Sequence, residues 1–301
     1  MIHLDRQTIK VMMAPAVETA VRGIARVGAG LTNTTYRVTA TDGAAYGLRL
    51  YAAGRAALDL ERWLLPALSA AIPVPDVLCA DAGGAHPYLV YHWIEGVTLN
   101  ECRRDAGPAA LMDLAEPLGR LLAAVAAAPG VHGPDLDAIR IDARLARAAE
   151  RLRTGLARER LGAALADGLR ARFAGDAARL QALEHPGGLV HGDFGGRNVL
   201  VRRAGEGGWE ISGVIDWESA GLGSALWDVG SLFRYPQRYS PEFRAAFKRG
   251  YRAAHGALPD DWFSAARLLD STRLVSILDE PRELPSVFAE CRQLIAALIG
   301  C

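Results

Sequence analysis

The first part of the chain alternates short apolar and polar runs, a pattern typical of β-strands. Residues 1–55 combine turns with such runs, and two strands are predicted at about 34–40 and 45–51. The two strands are joined at Asp42-Gly43, a dipeptide that favours the tight turn of a β-hairpin. The sequence therefore predicts an antiparallel sheet near the start of the chain.

A helix and further extended segments follow this hairpin. Residues 56–70 have helical spacing, with their large apolar residues on one face, and Pro66 is expected to bend or end the helix. The segments IPVPDVLCAD and PYLVYHWIEG are predicted to be extended, the first because a proline disfavours helical backbone in the residue before it.

From about residue 105 the pattern changes to the Ala-, Leu- and Arg-rich spacing of helices. Within this helical part, NVLVRR and WEISGVID flank the glycine-containing AGEGG and predict one further β-hairpin. The predicted fold class is α+β, with a small antiparallel-sheet lobe at residues 1–92 and a larger, mainly helical lobe at 93–301.

Composition limits the class of protein. The 301 residues are 50% hydrophobic, which is enough for a substantial core, and 34 Lys+Arg balance 34 Asp+Glu, so no nucleic-acid partner is expected. The four cysteines have neither metal-site nor disulfide-framework spacing, and we find no signal sequence and no apolar run of about 18 residues. We therefore expect a cytoplasmic protein with no membrane partner; its oligomeric state is left open by the sequence.

Two segments depart from the overall charge balance. Residues 140–180 carry ten arginines against five acids, and we interpret them as a solvated helical surface in preference to an anion-binding site. Residues 257–290 carry seven acids against three arginines, an excess of four negative charges. A cationic ligand would suit this second segment, and a merely acidic surface is the alternative interpretation.

A polar insert between two apolar runs carries the main candidate chemistry. The stretch LVHGDFGGRNVLV places His191, Asp193 and Asn198 just before the second predicted hairpin. With the turn centred near Gly207, Asn198 lies nine residues before it and Asp216 nine after it. In a ladder without a bulge the two would stand opposite each other, about 5 Å apart. The sequence thus predicts that an amide oxygen and a carboxylate converge at one end of this hairpin.

Oxygen ligands of this kind suit Mg²⁺, which prefers one or two protein carboxylates together with water and substrate phosphates. Asn198 and Asp216 are the predicted ligands, and Glu218 is a further candidate that would act through water. Asp193 would then orient a hydroxyl group and accept its proton. The spacing H-x-D-x-x-x-x-N, met by His191, Asp193 and Asn198, is that of the catalytic loop in kinase-type phosphoryl transfer. The literal DFG that begins at Asp193 is not the metal-binding element, because it precedes the asparagine.

The motifs LVHGDFGGRNVLV and GVIDWESAGLGSALWDVGSL resemble those of the aminoglycoside phosphotransferase and choline kinase group. The resemblance covers about residues 24–235 and implies a bilobal, protein-kinase-like fold that phosphorylates a small molecule. It implies Asp193 as catalytic base, His191 as an organiser of the loop, and Asn198 and Asp216 as Mg²⁺ ligands. It also implies that Asp228 braces the loop, whereas from the residues alone Asp228 would be a helix N-cap.

The resemblance assigns nucleotide-binding residues in the first lobe as well. VGAGLTNTTYRV is similar to a hairpin that covers the phosphates, and LVYHWIEGVTL resembles the hinge whose backbone binds the base. Arg49 stands where the family most often has a lysine facing the phosphates, and Glu61 is the carboxylate that would hold it. An ordinary surface pair is the alternative for these two residues. The predicted nucleotide-binding set is Gly28, Gly30, Thr32, Asn33, Arg49, Glu61, Tyr91, His92 and Trp93.

The acceptor is predicted only in outline. Many acceptors of the family are cationic, and Asp270, Asp279 and Glu280 in the acidic segment are the candidate pocket residues. Trp262 and Phe263 could stack on a sugar or a cation, but core packing is the favoured interpretation.

The predicted function is transfer of a phosphoryl group from ATP, or from GTP, to a hydroxyl of a small molecule with the help of Mg²⁺. The alternative is a pseudokinase that binds nucleotide without chemistry. The arginine in the usual lysine position permits this alternative, whereas the complete set Asp193, Asn198 and Asp216 disfavours it. A metal-dependent hydrolase is also disfavoured, because only His185 and His191 among seven histidines lie near the motif.

Overall fold

The computed structural model describes residues 2–27, 33–52, 54–128, 136–185, 187–205, 207–255 and 258–300. These residues form two compact units. The first unit comprises the described residues of Met1–Ala110 and Arg197–Ser219, and the second those of Leu111–Ala128, Leu136–Gly196 and Ala220–Cys301. The second predicted hairpin therefore groups with the first unit, although the residues on either side of it along the chain group with the second.

The first unit is built on a five-stranded antiparallel sheet. Its strands are β1 (Val21–Val27), β2 (Thr34–Ala40), β3 (Ala45–Leu50), β4 (Val77–Asp81) and β5 (Tyr88–His92), in the order β1-β2-β3-β5-β4. The first predicted hairpin is confirmed to within one residue. Its turn closes with a 2.9 Å hydrogen bond from the Ala40 N–H to the Ala44 oxygen, and Gly43 supplies a φ of 93°.

Two helices belong to this unit, α1 (Arg6–Met13) and α2 (Arg55–Leu68). Pro66 lies in the last turn of α2, which ends two residues later, as the sequence predicts. The prediction of turns and β-like runs over residues 1–55 is wrong for α1. Its N-cap Asp5 accepts the Thr8 N–H at 2.8 Å, and Ile9 and Met13, four residues apart, are buried against the sheet.

A second, smaller sheet completes the first unit. It contains β6 (Val97–Thr98), β9 (Val199–Arg203) and β10 (Trp209–Val214), all antiparallel, in the order β10-β9-β6. The predicted hairpin between residues 199 and 214 is therefore confirmed, and it gains a third strand from the segment that follows β5.

The second unit is mainly helical, and helix α3 (Leu99–Ala126), broken at Gly107 where φ is 77°, leads into it. Its other helices are α4 (Ile141–Thr154), α5 (Leu156–Leu161), α6 (Ala163–Gln181), α7 (Leu226–Leu232), α8 (Pro241–His255), α9 (Trp262–Leu278) and α10 (Pro285–Ile299), with a short 3-10 helix at Pro236–Arg238. A small sheet joins β7 (Ala138–Ile139), β8 (Leu189–Val190) and β11 (Gly221–Gly223) in the order β7-β11-β8. The predicted α+β class, with an antiparallel sheet first and mostly helices afterwards, is confirmed.

Close helix packing positions the functional residues of this unit. Helices α7 and α9 cross at Gly230, where a Cβ atom would lie 2.2 Å from the backbone oxygen of Ala266. Only glycine permits this approach of two backbones. The crossing sets the position of α7, which carries Asp228, relative to α9, which carries Asp270 and Arg273.

Candidate active site

The loop after β8 is fixed by Asp228 of α7. The N–H groups of His191 and Gly192 donate to the two carboxylate oxygens of Asp228 at 2.7 and 2.9 Å. Gly192 has a φ of 81°, which would strain any residue with a side chain. Because Asp228 is only 1% exposed, the loop is held from the interior of the second unit.

Burial also changes the proton affinity of Asp228. It raises the pKa of this carboxyl to about 7, against the opposing effect of the hydrogen bonds from His191 and Gly192. Folding therefore makes Asp228 hold its proton more tightly than an ordinary aspartic acid, whose pKa is 3.8.

The backbone of Asp193 is held on both sides. Its N–H donates to the Nδ1 atom of His191 at 3.2 Å, and its oxygen accepts the Gly195 N–H at 2.7 Å. The buried His191 ring meets the Phe194 ring edge-on, with centroids 5.9 Å apart. His191 thus orders the loop, while the Asp193 side chain keeps 9% of its surface exposed.

Two arginines lie near the Asp193 carboxylate. The Nη2 atom of Arg273 is 4.0 Å from its Oδ2 atom. Arg234 is held elsewhere, since its Nε and Nη2 atoms donate to Asp270 at 2.8 and 2.7 Å. Burial alone would lower the pKa of Arg234, but Asp270 outweighs it and keeps this pKa above its usual value. Of these two arginines, Arg273 is the one whose guanidinium lies close to the Asp193 carboxylate.

In the first unit, Arg49 of β3 lies among three carboxylates. Its Nε atom is 3.3 Å from Glu61 Oε2, and its Nη2 atom contacts Asp216 Oδ1 and lies 3.3 Å from Glu218 Oε2. The Arg49 and Glu61 side chains are 12% and 3% exposed, so this is no ordinary surface pair. Burial by itself would lower the pKa of Arg49, but the three carboxylates raise it above its usual value.

Glu61 connects three parts of this unit. Besides Arg49, its carboxylate accepts a hydrogen bond from the Tyr51 hydroxyl and one from the Trp217 N–H, the latter at 2.8 Å. Burial raises the pKa of Glu61, with Arg49 opposing, and burial also raises the pKa of Tyr51. The sequence analysis missed both partners. Tyr51 has a sequence signal, because residues two apart on a strand share a face, whereas a backbone N–H such as that of Trp217 has none.

The predicted opposition of Asn198 and Asp216 is wrong by one residue. The Ile215 N–H donates to the Asn198 oxygen at 3.0 Å, so Asn198 stands opposite Ile215. The prediction centred the turn at Gly207, whereas Trp209 pairs with Arg203, so the hairpin is centred one residue earlier and an unbulged ladder would place Asn198 opposite Val214. A register shift between Ile211 and Gly213 then moves its partner to Ile215.

Asp216 reaches Arg49 through an unusual backbone conformation. Its φ is 70°, and it is the only residue other than glycine with a positive φ in the described part of the chain. This conformation turns the chain out of β10 and places the carboxylate on Arg49. Backbone strain of this kind tends to occur at functional sites.

The residues present fit a magnesium ion. No group of three or more His, Cys, Asp or Glu suited to a metal occurs among the described residues. Mg²⁺ does not need one, because it commonly uses one or two carboxylates with water and phosphate. The Asp216 and Glu218 side chains are 29% and 23% exposed and offer hard oxygen ligands around the same guanidinium. Arg49 shares both carboxylates, so a metal would compete with it.

Of the four residues predicted to bind phosphate in the hairpin VGAGLTNTTYRV, the structure describes only Asn33. Gly28, Gly30 and Thr32 lie outside the described residues. The Asn33 side-chain oxygen accepts the Ala52 N–H at 3.1 Å, and its amide nitrogen donates to Glu218. Asn33 thus links the end of β3 to the carboxylates around Arg49.

The predicted hinge, Tyr91, His92 and Trp93, lies at the end of β5. The N–H groups of His92 and Trp93 donate to the oxygens of Asp76 and Ala45, each at 3.0 Å. Tyr91 is buried, and burial raises its pKa to about 12. Both N–H groups therefore already have acceptors within the protein.

The three acids predicted for a cationic acceptor, Asp270, Asp279 and Glu280, differ in their surroundings. Asp270 is held by an arginine, as described above. Asp279 Oδ2 is 3.1 Å from Arg151 Nε, and its Oδ1 accepts the Ala157 N–H at 3.2 Å. Glu280 is exposed at the end of α9. Two of the three carboxylates are therefore neutralised by arginines from other elements of the second unit.

Comparison with known proteins identifies the family of the chain. A model of the phosphotransferase enzyme family matches residues 23–268. The chain belongs to this family. A viomycin phosphotransferase from Streptomyces vinaceus is 34% identical over 149 residues, which are 48% of this chain and 49% of the relative. That similarity thus spans about half the length of the curated relative.

Solved structures share the fold across nearly the whole chain. An aminoglycoside phosphotransferase in complex with GDP and kanamycin has a TM-score of 0.76 at 17% identity, covering 98% of this chain and 99% of its own. Another, in complex with ADP and hygromycin B, has a TM-score of 0.69 at 20% identity, covering 98% and 97%. The predicted family and its kinase-like fold are confirmed. In the described part of this phosphotransferase, no helix has the length and apolar character needed to span a membrane.

Proposed function

We propose that the protein transfers the terminal phosphoryl group of ATP or GTP to a hydroxyl of a small molecule, with Mg²⁺ as cofactor. Membership of the phosphotransferase family supports the reaction class. The observation that carries the proposal is the rigid loop around Asp193, whose neighbouring N–H groups at His191 and Gly192 are bound to Asp228.

Asp193 acts on the acceptor in this proposal. Its carboxylate orients the hydroxyl and takes its proton as the hydroxyl oxygen bonds to the γ-phosphorus. The bond from that phosphorus to the bridging oxygen breaks, and the nucleoside diphosphate leaves. Positioning dominates such catalysis, since a displacement of about 1 Å can cost on the order of 100-fold in rate. Asp228 and His191 supply this positioning through the loop backbone.

The first unit provides the residues for the nucleotide. Asn198, Asp216 and Glu218 would hold Mg²⁺, which neutralises phosphate charge when bound. Arg49, kept in place by Glu61, presents a permanent cation for the phosphates. Action of the Asp193 loop and these residues on one nucleotide is part of the proposal.

The acceptor class is open to direct test. Relatives are a viomycin phosphotransferase and enzymes solved with kanamycin or hygromycin B, so hydroxylated antibiotics belong in the panel. Choline, amino sugars and homoserine complete it. The measurement is release of ADP or GDP with each donor and each acceptor, followed by identification of the phosphorylated product by mass spectrometry.

Variants separate the assigned roles. Asp193→Asn should lower turnover by about 10² to 10⁴-fold and leave nucleotide affinity unchanged in calorimetry, because its carboxylate acts only on the acceptor. Asp216→Asn should weaken binding of the nucleotide in the presence of Mg²⁺. Asp113→Asn, at an exposed position, is the matched control. Full activity of Asp193→Asn would show that the base is assigned wrongly.

A pseudokinase is the second candidate, favoured by the contact of Arg49 with Asp216. This contact occupies one oxygen of a predicted metal ligand. Under this alternative, neither the natural protein nor Arg49→Lys would transfer phosphate to any acceptor or to water, although both bind nucleotide. Slow hydrolysis of ATP that disappears in Asp193→Asn would support the enzyme.

A further inference from the structure

A group of three neighbouring arginines in the second unit, Arg144, Arg147 and Arg273, reaches Asp193 through Arg273. Arg273 of α9 lies 4.0 Å from the Asp193 carboxylate. Arg144 of α4 is half-buried, with its guanidinium carbon 5.4 Å from the centre of the Trp227 ring. Arg147 follows Arg144 by one turn of α4 and is exposed. Apart from the Asp193–Arg273 contact, none of these three arginines has an acidic partner in the part of the chain that the structure describes.

Two buried donors in this group lack acceptors. Within the described residues, neither Arg144 Nε nor Trp227 Nε1 has a hydrogen-bond partner. Buried polar groups in native proteins almost always have one, and an unsatisfied donor costs about 1–3 kcal/mol. Trp227 directly precedes Asp228, which holds the catalytic loop. The unsatisfied donors are therefore next to the element that positions Asp193.

Charge around these donors is not compensated from within the protein. Burial lowers the pKa of Arg144, and the neighbouring Arg147, Arg273 and Arg151 lower it further. Arg151 is paired with Asp279, so it is neutralised. Among Arg144, Arg147 and Arg273, only Arg273 lies near a carboxylate of the described residues, that of Asp193. The site thus carries excess positive charge and donors without acceptors, which are the features of an anion-binding site.

We propose that Arg144, Arg147 and Arg273, with the Trp227 indole, bind a carboxylate or phosphate group carried by the acceptor. Held there, such an acceptor presents a hydroxyl to Asp193. The delivery of the hydroxyl rests on the proposed phosphotransferase function, whereas the binding of the anionic group does not. The proposal gives a binding role to two of the ten arginines of residues 140–180, a segment that the sequence analysis interprets as a solvated helical surface.

The anion site is tested without nucleotide, at constant ionic strength, by calorimetric titration. Gluconate and sorbitol are the paired probes, because they share a hydroxylated chain and differ in the carboxylate; inorganic phosphate is the second anion. Gluconate and phosphate should bind and sorbitol should not. The double variant Arg144→Gln/Arg273→Gln should weaken anion binding at least about tenfold, as loss of charge-assisted hydrogen bonds predicts.

Matched variants keep the result interpretable. Arg153→Gln changes another arginine of α4, one paired with Glu150 at 2.6 Å, and should bind the anions like the natural protein. Arg144→Lys retains the charge and should recover part of the affinity, and thermal melting shows that each variant is folded. Absence of anion binding, or equal binding by the double variant, would overturn the proposal.

The same arginines could instead bind the terminal phosphate of the nucleotide. One comparison distinguishes this phosphate from an anionic group on the acceptor. The double variant should keep the natural affinity for a non-hydrolysable ATP analogue; loss of this affinity with unchanged gluconate binding would overturn the assignment to the acceptor. Asp193→Asn should retain anion binding while losing turnover. A protein that binds the anions but never transfers phosphate would contradict the proposed function and leave the anion site standing.

Discussion

Arg49 illustrates how one residue alters a site whose other residues follow a family pattern. A lysine at this position has a single ammonium group, whereas the guanidinium reaches Glu61 through Nε and both Asp216 and Glu218 through Nη2. The arginine therefore competes for the carboxylates that a divalent cation requires. Metal affinity, measured apart from activity, reports this competition.

Replacing Arg49 by lysine should strengthen divalent metal binding. Release of an ion pair worth about 1 kcal/mol corresponds to an affinity gain on the order of fivefold. The gain is measured by Mn²⁺ binding in electron paramagnetic resonance, with Mg²⁺ as competitor. Arg37→Lys, at an exposed pair with Glu95, is the control. Unchanged Mn²⁺ affinity in Arg49→Lys would mean that the arginine does not compete for the site.

Asp228 should make the free energy of unfolding depend on pH, and the direction of this dependence follows from its raised pKa. Its pKa in the folded protein is about 7, against 3.8 ordinarily, so the folded state binds its proton more tightly than the unfolded state. The free energy of unfolding should therefore fall as pH rises from about 4 to about 7 and level off above that. Asp228→Asn does not titrate and should lose this contribution. Urea unfolding across this range compares the two slopes, and equal slopes would contradict the assignment.

At the scale of elements, the crossing of α7 and α9 depends on Gly230. A Cβ there would lie 2.2 Å from the Ala266 oxygen, a backbone atom that cannot move alone. Gly230→Ala should lower the free energy of unfolding by about 1–3 kcal/mol, as overpacking does. Gly175→Ala in α6, where nothing lies within 4 Å, should instead raise it by about 0.5–1 kcal/mol. Calorimetric melting measures both, and similar shifts for the two variants would exclude a packing role for Gly230.

Turn residues and apolar spacing predicted most helices and strands. The register between strands was missed, because it depends on more than a few neighbouring residues. The Asp42-Gly43 turn and the strands beside it follow from turn chemistry and alternation, which act over a few residues. The register at Asn198 does not, because neither the exact centre of the turn nor the bulge near Ser212 leaves a mark in the apolar pattern, and each of them moves the partners along the ladder. Helix α1 had a signal in its Asp5 cap that was not used.

The pairing of distant side chains was predictable only where a family motif supplied it. Arg49 and Glu61 were matched in this way, and the structure adds Asp216 and Glu218 to the same guanidinium. Arg273 belongs to no motif, and its approach to Asp193 arises from the packing of α9. Contacts made by tertiary packing alone leave no spacing in the sequence that could reveal them.

For the molecule as a whole, the basic and acidic segments largely neutralise each other. Besides the Arg151–Asp279 pair, Arg160 lies 2.6 Å from Glu283, and Arg179 contacts Asp261. Most acids of residues 257–290 thus form ion pairs within the protein. A count of charges along the chain does not show this pairing. The cations left over near Asp193 are the ones to which we assign an anionic ligand.

This balance makes Asp270 a structural residue whose replacement should affect stability before substrate binding. The Arg234 and Asp270 side chains are 13% and 5% exposed, so Asp270→Asn leaves a buried, uncompensated charge. We expect it to lower the free energy of unfolding by about 3–5 kcal/mol in urea titrations. The exposed Glu280→Gln should change it by less than about 0.5 kcal/mol.

A compensating variant separates the loss of a pair from the loss of a binding residue. Arg234→Met/Asp270→Leu removes both charges with little change of volume and should regain most of the stability lost in Asp270→Asn. An acidic acceptor pocket predicts the opposite order of effects. In that case Asp270→Asn would fold as stably as the natural protein and raise the KM of a cationic acceptor, and Glu280→Gln would raise it too. Stability loss that the double variant reverses, with KM unchanged in Glu280→Gln, supports the charge pairing seen in the fold.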